Sequence, residues 1–176
     1  MVFTGTYEHT VDKKNRLSIP ADLRVQVQSE QARHRARKFA DLAVPPDPEA
    51  LSAPPVFFIL PGESKALYLY TEKDVEQRAE DLIDSEVETE ELLLYERMWF
   101  SAARRVELDG AGRITIPGDL RKDVNLESEV VLLGVHDHLE VRNRQDWYDY
   151  KKQILTEQPQ LMMDPRRMKR HSGRGA

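Results

Sequence analysis

The chain has 176 residues, 40% of them apolar and 32% charged, with a formal net charge of −5. That length suits one domain or two small ones with a real core. The absence of cysteine excludes disulfides, thiolate metal sites, iron–sulfur clusters and cysteine nucleophiles together.

In chain order, residues 1–8, Met-Val-Phe-Thr-Gly-Thr-Tyr-Glu, carry neither the basic nor the apolar region of a signal peptide. Thr6–Val11 reads as a strand, followed by a tight turn at Asp12–Arg16 and a second strand over Arg16–Ile19. Pro20 sits where a short helix begins. The segment from about 28 to 55 starts with the basic stretch Arg33–Lys38 and becomes Pro-rich, holding five of the chain's ten prolines. Fixed φ angles and missing N–H donors predict a loop in that Pro-rich part.

Val56–Leu60 is an apolar strand, followed by Gly62 and another strand. Thr71-x-x-Asp74 is a capping box opening a helix whose apolar face is Val75, Ala79, Leu82 and Ile83. Ser85-x-x-Glu88 looks like a fresh cap, so a linking helix is expected over 85–103. The pattern then recurs: strand Arg104–Leu108, turn, strand Arg113–Ile116, Pro117, strand Val130–Leu133, Gly134, strand, and Asn143-x-x-Asp146 opening a closing helix. Residues 158–176 read as a basic, disordered tail. The longest apolar runs, Val56–Leu60 and Val130–Leu133, fall far short of the roughly 18 residues that span a bilayer. A cytoplasmic protein without membrane contact is expected.

The recurrence is a duplication. Asp12-Lys-Lys-Asn-Arg-Leu-Ser-Ile-Pro-Ala-Asp-Leu-Arg24 matches Asp109-Gly-Ala-Gly-Arg-Ile-Thr-Ile-Pro-Gly-Asp-Leu-Arg121 at seven of thirteen positions without a gap. Leu67–Asp74 matches Leu139–Asp146 in the same order, so the first copy holds about 25 extra residues. The organisation is therefore a first repeat over 1–84 with an insert at about 28–55, a linking helix over 85–103, a second repeat over 104–157, and the tail.

Charge follows this organisation. Residues 1–40 carry +4, 41–103 carry −11, 104–122 carry +2, 123–163 carry −4 and 164–176 carry +4. An acidic middle between basic segments points to a localised anion-binding surface, solvated surface charge being the plainer alternative.

The two turns are the most informative feature. Asn15 and Gly112 stand just before the Arg of each turn, and both residue types tolerate positive φ. Asp12 and Asp109 either accept from turn N–H groups or pair with the Arg, in which case they staple the hairpin. Lys13, Lys14 and Arg16 place three cations on one tip beside Asn15. Arginine holds phosphate bidentately or reads guanine, and lysine supplies point charge to phosphates. The second copy keeps Arg113 but neither lysine, making it the weaker contact.

Gly5-x-Tyr-Glu-His-Thr-x-Asp12-x-x-x-Arg16-x-x-Ile-Pro20, repeated as Asp109-x-x-x-Arg113-x-x-Ile-Pro117, resembles the MraZ family of bacterial proteins over roughly residues 1–27 and 56–157. The resemblance implies an α+β fold of two tandem AbrB/MraZ-like swapped-hairpin units, forming a small β-barrel-like core flanked by helices. It implies a nucleoid-associated, sequence-specific DNA-binding regulator of the division and cell-wall gene cluster. It also implies a ring-shaped homo-oligomer on promoter direct repeats of double-stranded DNA. Apart from the resemblance, the lack of catalytic motifs leads to the expectation of no enzymatic activity, and no cofactor is expected. By carry-over the DNA-contacting loop falls on Asp12–Arg16, with Arg16 foremost. The reading of the residues themselves puts contact on Lys13, Lys14, Asn15 and Arg16, more weakly on Arg113, and turn shaping on Asp12, Asp109 and Gly112. The insert and Asn15, where the family usually has Gly, depart from its pattern.

Two rival classes stand beside it: a ring that restrains a protein partner, and an antitoxin using the basic tail, which the fused duplication argues against. His136-Asp137-His138 lacks a third ligand for a metal, and His9 reads as a packed structural histidine. Neither a phosphate loop nor a catalytic motif occurs.

Overall fold

A computed structural model describes residues 2–40, 53–83 and 89–162 of the chain. They form an α+β structure that divides into two units, 1–143 and 144–176. The first unit contains β1 (Thr6–Thr10), β2 (Arg16–Ser18), α1 (Ala21–Ala40), β3 (Val56–Pro61), β4 (Leu67–Thr71), α2 (Glu72–Ile83) and α3 (Glu90–Ala102). It continues with β5 (Arg104–Glu107), β6 (Arg113–Thr115), α4 (Gly118–Asp123), β7 (Glu129–Val135) and β8 (His138–Asn143). The second unit contains α5 (Arg144–Glu157), with Gln145–Asp149 and Gln153–Glu157 hydrogen bonds along one helix face, and a 3-10 turn at Pro159–Met162. None of the helices is long and apolar enough to cross a membrane among the described residues.

Six strands make one antiparallel sheet in the order β1-β7-β8-β4-β3-β5, while β2 and β6 pair in a separate ribbon. The apolar alternation of the strands explains the buried face. Phe57, Ile59, Leu67, Leu69, Val130, Leu132, Leu139 and Val141 are all fully buried and share one cluster. Leu17, Ile19, Leu23 and Val27 from the first copy join it, as do Ile114, Ile116 and Leu120 from the second. The two copies thus own one core between them.

Pairing crosses between copies as well. β1 of the first copy lies on β7 of the second, with Tyr7 opposite Leu132; β5 of the second lies on β3 of the first, with Arg104 opposite Ile59. In the ribbon Leu17 faces Ile114, flanked by Arg16 opposite Thr115 and Ser18 opposite Arg113. Two further bonds extend it, from Ile19 N–H to Gly112 O (3.0 Å) and from Ile116 N–H to Asn15 O (2.8 Å). These are the same bond made once by each copy, so a local two-fold axis runs through the ribbon.

The helices after the two prolines differ sharply: 20 residues in α1 against six in α4. Residues 28–40 of the insert therefore lengthen the helix after Pro20, which the sequence pattern predicts to be short. No Gly or Pro interrupts 21–40, and Ala, Gln and Arg are good helix formers. Tertiary bonds add to that propensity. Gln31 bonds both the carbonyl (2.5 Å) and the N–H (3.0 Å) of Val56, and Arg35 bonds Glu72 (3.1 Å) and the Ala53 carbonyl (2.9 Å). His34 (2.9 Å) and Lys38 (2.5 Å) both bond Glu76. Half of the basic stretch is thus spent on holding α1 against α2. The Pro-rich residues 41–52 and the tail beyond 162 lie outside the described residues.

Thr71 caps α2 as its spacing predicts, accepting from Asp74 N–H (3.3 Å) and donating to the Asp74 carboxylate (2.5 Å). The linking helix starts at Glu90 and is capped by Thr89, which accepts from Leu92 N–H (3.1 Å); the Ser85-x-x-Glu88 cap lies outside the described residues. Trp99 anchors α3 against Leu60 and Tyr70, and the Arg78 guanidinium stands 5.1 Å from the Tyr70 ring centre and 5.3 Å from that of Trp99. Leu93, Leu94, Tyr95, Met98 and Phe100 on the same helix remain exposed.

The β3–β4 hairpin turns through Ser64 (φ 52°) and Lys65 (φ 61°), closed by Ala66 N–H on Glu63 O (3.2 Å). Two consecutive positive φ angles are those of a type I′ turn, which Asn-Gly fills at least cost. The double substitution Ser64→Asn/Lys65→Gly is expected to stabilise the protein by about 1 kcal/mol, read as a higher urea midpoint at unchanged slope. A lowered midpoint would show that the turn is not held in this conformation.

Candidate nucleic-acid interface

The Asp-x-x-x-Arg spacing is explained by what the carboxylate reaches. Asp12 Oδ1 accepts from the backbone N–H of Lys14 (2.8 Å) and of Arg16 (2.9 Å). Its Oδ2 accepts from Arg16 Nε (2.8 Å) and lies 2.7 Å from Arg16 Nη2. Asn15 N–H donates to Asp12 O, and Asp12 N–H to Arg16 O, each at 3.0 Å, with Asn15 at φ 60°. One side chain thus closes a five-residue loop from within, and the Arg must come four residues later to meet the second oxygen.

The second turn repeats the arrangement. Asp109 accepts from Ala111 N–H (2.9 Å), Arg113 N–H (3.0 Å) and Arg113 Nε (2.9 Å), with Gly112 at φ 75°. Gly112 suits the positive φ, and the Arg24 side chain packs so closely on it that a Cβ would fall 1.9 Å from Nη1 and displace that side chain.

Lys13 and Lys14 are exposed at the first tip, and neither ammonium has a partner among the described residues. Arg16 is half-buried and pinned by Asp12 through Nε and Nη2, which fixes the direction of its guanidinium plane. Arg113 is held in the same way by Asp109, but its tip offers only Gly110 and Ala111. Asn15 is different from its neighbours. Its amide oxygen accepts from Arg121 Nη1 at 2.6 Å, so it faces the helix of the other copy. Arg121 also donates from Nε to Leu126 O (3.0 Å) and from Nη2 to Ser128 Oγ (3.4 Å). Sequence reading missed this brace, although Arg24 and Arg121 close the matched thirteen-residue blocks and so carried a signal.

The histidines stand apart from the tips. His9 is half-buried on β1 opposite Val130, and burial lowers its pKa. His136 occupies the β7–β8 turn at φ 59°. His138 stacks on Tyr70 (5.0 Å between centroids), bonds Asp137 (2.8 Å) and lies 3.5 Å from Glu140. Burial opposes its charge, but those two carboxylates outweigh burial and raise its pKa.

A family model described as "MraZ protein, putative antitoxin-like" matches residues 2–36 and 99–170, more than half of the chain and both Asp-x-x-x-Arg turns. The chain belongs to the MraZ family, a regulatory family rather than an enzymatic one. The match omits 37–98, which contains β3, β4 and α2 as well as the later part of the insert, from residue 37 on.

The bond from Arg16 N–H, foremost, with those from its side chain and from Lys14, holds the Asp12 carboxyl at about 2 against an ordinary 3.8. Asp109 is lowered chiefly by the side chain of Arg113. A depressed carboxylate pKa contributes stability that is complete above the ordinary value and lost as pH falls through the folded one. The first turn is therefore expected to stay closed to below pH 3.8 and to open towards pH 2. Carboxyl NMR of Asp12 measures this directly, and a midpoint near 3.8 would mean that the loop is open in solution.

Proposed function

We propose that this MraZ-family chain is a sequence-specific DNA-binding transcriptional regulator. In this reading the tip at 12–16 is its reading element and a ring-shaped homo-oligomer is its working form. The observation that carries the reading is the division of labour in the first turn. Asp12 satisfies the backbone and orients Arg16, and the two lysines are left exposed without partners among the described residues. Preorganised cations on a closed loop suit phosphate and groove contacts, because little side-chain or backbone entropy remains to be lost on binding. The crossed pairing of β1 with β7 and β5 with β3, and the two-fold β2–β6 ribbon, support two fused swapped-hairpin units.

Three cations on one tip make a weak ligand for DNA. Several tips on one oligomer gain affinity through effective concentration when their spacing matches direct repeats. The exposed apolar residues of α3 support self-association, since Leu94 and Met98 lie one turn apart and are 49% and 67% exposed. By resemblance the target is the promoter of a division and cell-wall gene cluster, and the protein is expected on the nucleoid. The second reading, a ring that restrains a protein partner, is favoured by the antitoxin-like description of the family.

Lys13→Gln/Lys14→Gln separates the two readings, because neither side chain holds the turn. Fluorescence anisotropy on promoter and scrambled duplexes at two salt concentrations is expected to show promoter preference in the wild type. The variant is expected to bind roughly tenfold more weakly or worse, with a log–log salt slope shallower by about 2 per engaged tip. Equal, weak binding to both duplexes, unchanged in the variant, would leave the protein-partner reading. For the assembly, Leu94→Glu/Met98→Glu is expected to reduce the mass measured by light scattering to that of one chain or a small sub-assembly. An unchanged oligomer would remove α3 from the interface.

A further inference from the structure

The two copies differ at one brace, and the difference leaves one arginine without the acceptors that its counterpart has. Arg121 spends its guanidinium on Asn15, Leu126 and Ser128. Its counterpart in the first copy is Arg24. The residue matching Asn15 is Gly112, which has no side chain to accept a bond. The chain after α4 bends back at Asn125 (φ 51°) and so presents Leu126 and Ser128. After Arg24, α1 continues to Ala40, and its carbonyls are taken up along the helix. All three acceptors are gone. Arg24 has no hydrogen-bond or ion-pair partner among the described residues, and its Nε is buried.

Arg24 lines a cavity of about 580 Å³ with Gln28, Ala32, Pro54, Leu108 and Gly110. That volume falls within the range of small-molecule sites. The other charged groups at the cavity are already committed: Arg35 to Glu72 and the Ala53 carbonyl, Asp109 to Arg113. Gln28 is exposed and without a partner among the described residues. Nothing lies within 4 Å of the position a Cβ would take on Gly110, so the turn is open there. One unpaired guanidinium, one free amide and a wall of Ala32, Pro54 and Leu108 suit a ligand with an anionic head and a small apolar body.

We propose that this cavity binds a small organic oxyanion, with its phosphate or carboxylate head on Arg24 and Gln28 and its apolar body against Ala32, Pro54 and Leu108. With Nε buried, the two terminal Nη groups are the edge that matches either head bidentately. The site does not depend on the DNA-binding reading of the first tip. A phosphate head is also carried by the DNA backbone, and the experiment distinguishes the two sources.

Isothermal titration calorimetry of the full chain with phenyl phosphate, inorganic phosphate and phenol tests the site. Phenyl phosphate is expected to bind once per chain, inorganic phosphate more weakly, and phenol not at all. Arg24→Gln is expected to weaken phenyl phosphate by roughly tenfold or more, with Arg24→Lys recovering part of the loss. Gln28→Leu, on the exposed side of the helix, serves as a second variant should Arg24→Gln fail to fold, and is expected to weaken binding less. No heat at millimolar phenyl phosphate, or equal binding by wild type and Arg24→Gln, would overturn the proposal. Arg24→Gln weakening a DNA duplex while no small anion binds would also overturn it, and would assign Arg24 to the DNA backbone.

Discussion

β1 has its partner in β7 and β5 has its partner in β3, so each copy of the repeat completes its part of the sheet with a strand from the other. The ribbon obeys the same rule, since Leu17 and Ile114 bury against each other at the local two-fold. Neither copy has a core of its own: Phe57, Ile59, Val130 and Leu132 belong to one cluster with both ribbon strands. A single fused chain makes this exchange intramolecular, which removes the association cost that two separate copies would meet. The turns inherit their rigidity from this exchange. Asn15 and Gly112 each offer a carbonyl to the other copy's backbone, so a tip cannot loosen without disturbing the ribbon.

Seen that way, the Asp-x-x-x-Arg loop is a device with an inside and an outside. The inside is satisfied by one carboxylate, which is why Asp109 is lowered and Asp12 is held at about 2. The outside is then free to vary, and it does: two lysines on one tip, Gly and Ala on the other. A scaffold that does not use its exposed side chains lets binding chemistry change without loss of fold.

Much of this was legible in the residues. The Pro, Gly and Asn positions located the turns and helix starts, and the ungapped match between the blocks beginning at Asp12 and Asp109 revealed the duplication. The partners of the strands were not legible, because Val56–Leu60 and Val130–Leu133 are equally apolar and local pattern does not say which first strand lies beside which. The extent of α1 is not legible for a related reason. A run of Arg33, Arg35, Arg37 and Lys38 reads as solvated charge until Glu72 and Glu76, some forty positions away, are brought beside it. Asn15 likewise looked like a surface residue of the tip, and only the second copy's Arg121 shows that its amide oxygen is occupied.

The fused duplication explains why the copies were able to diverge where two identical chains are not. In a symmetric pair any change at the position of Asn15 alters both tips, and any lengthening of the helix after Pro20 alters both helices. Here Asn15 and Gly112 differ, and so do α1 and α4. The two changes act on the same brace: the Gly removes the side-chain acceptor of Arg24, and the longer helix removes the carbonyl and hydroxyl acceptors that Arg121 keeps. An unpaired guanidinium half-buried beside a turn is costly in a low-dielectric setting. A bound anion relieves that cost in one copy without touching the other, where Arg121 already has its acceptors inside the fold.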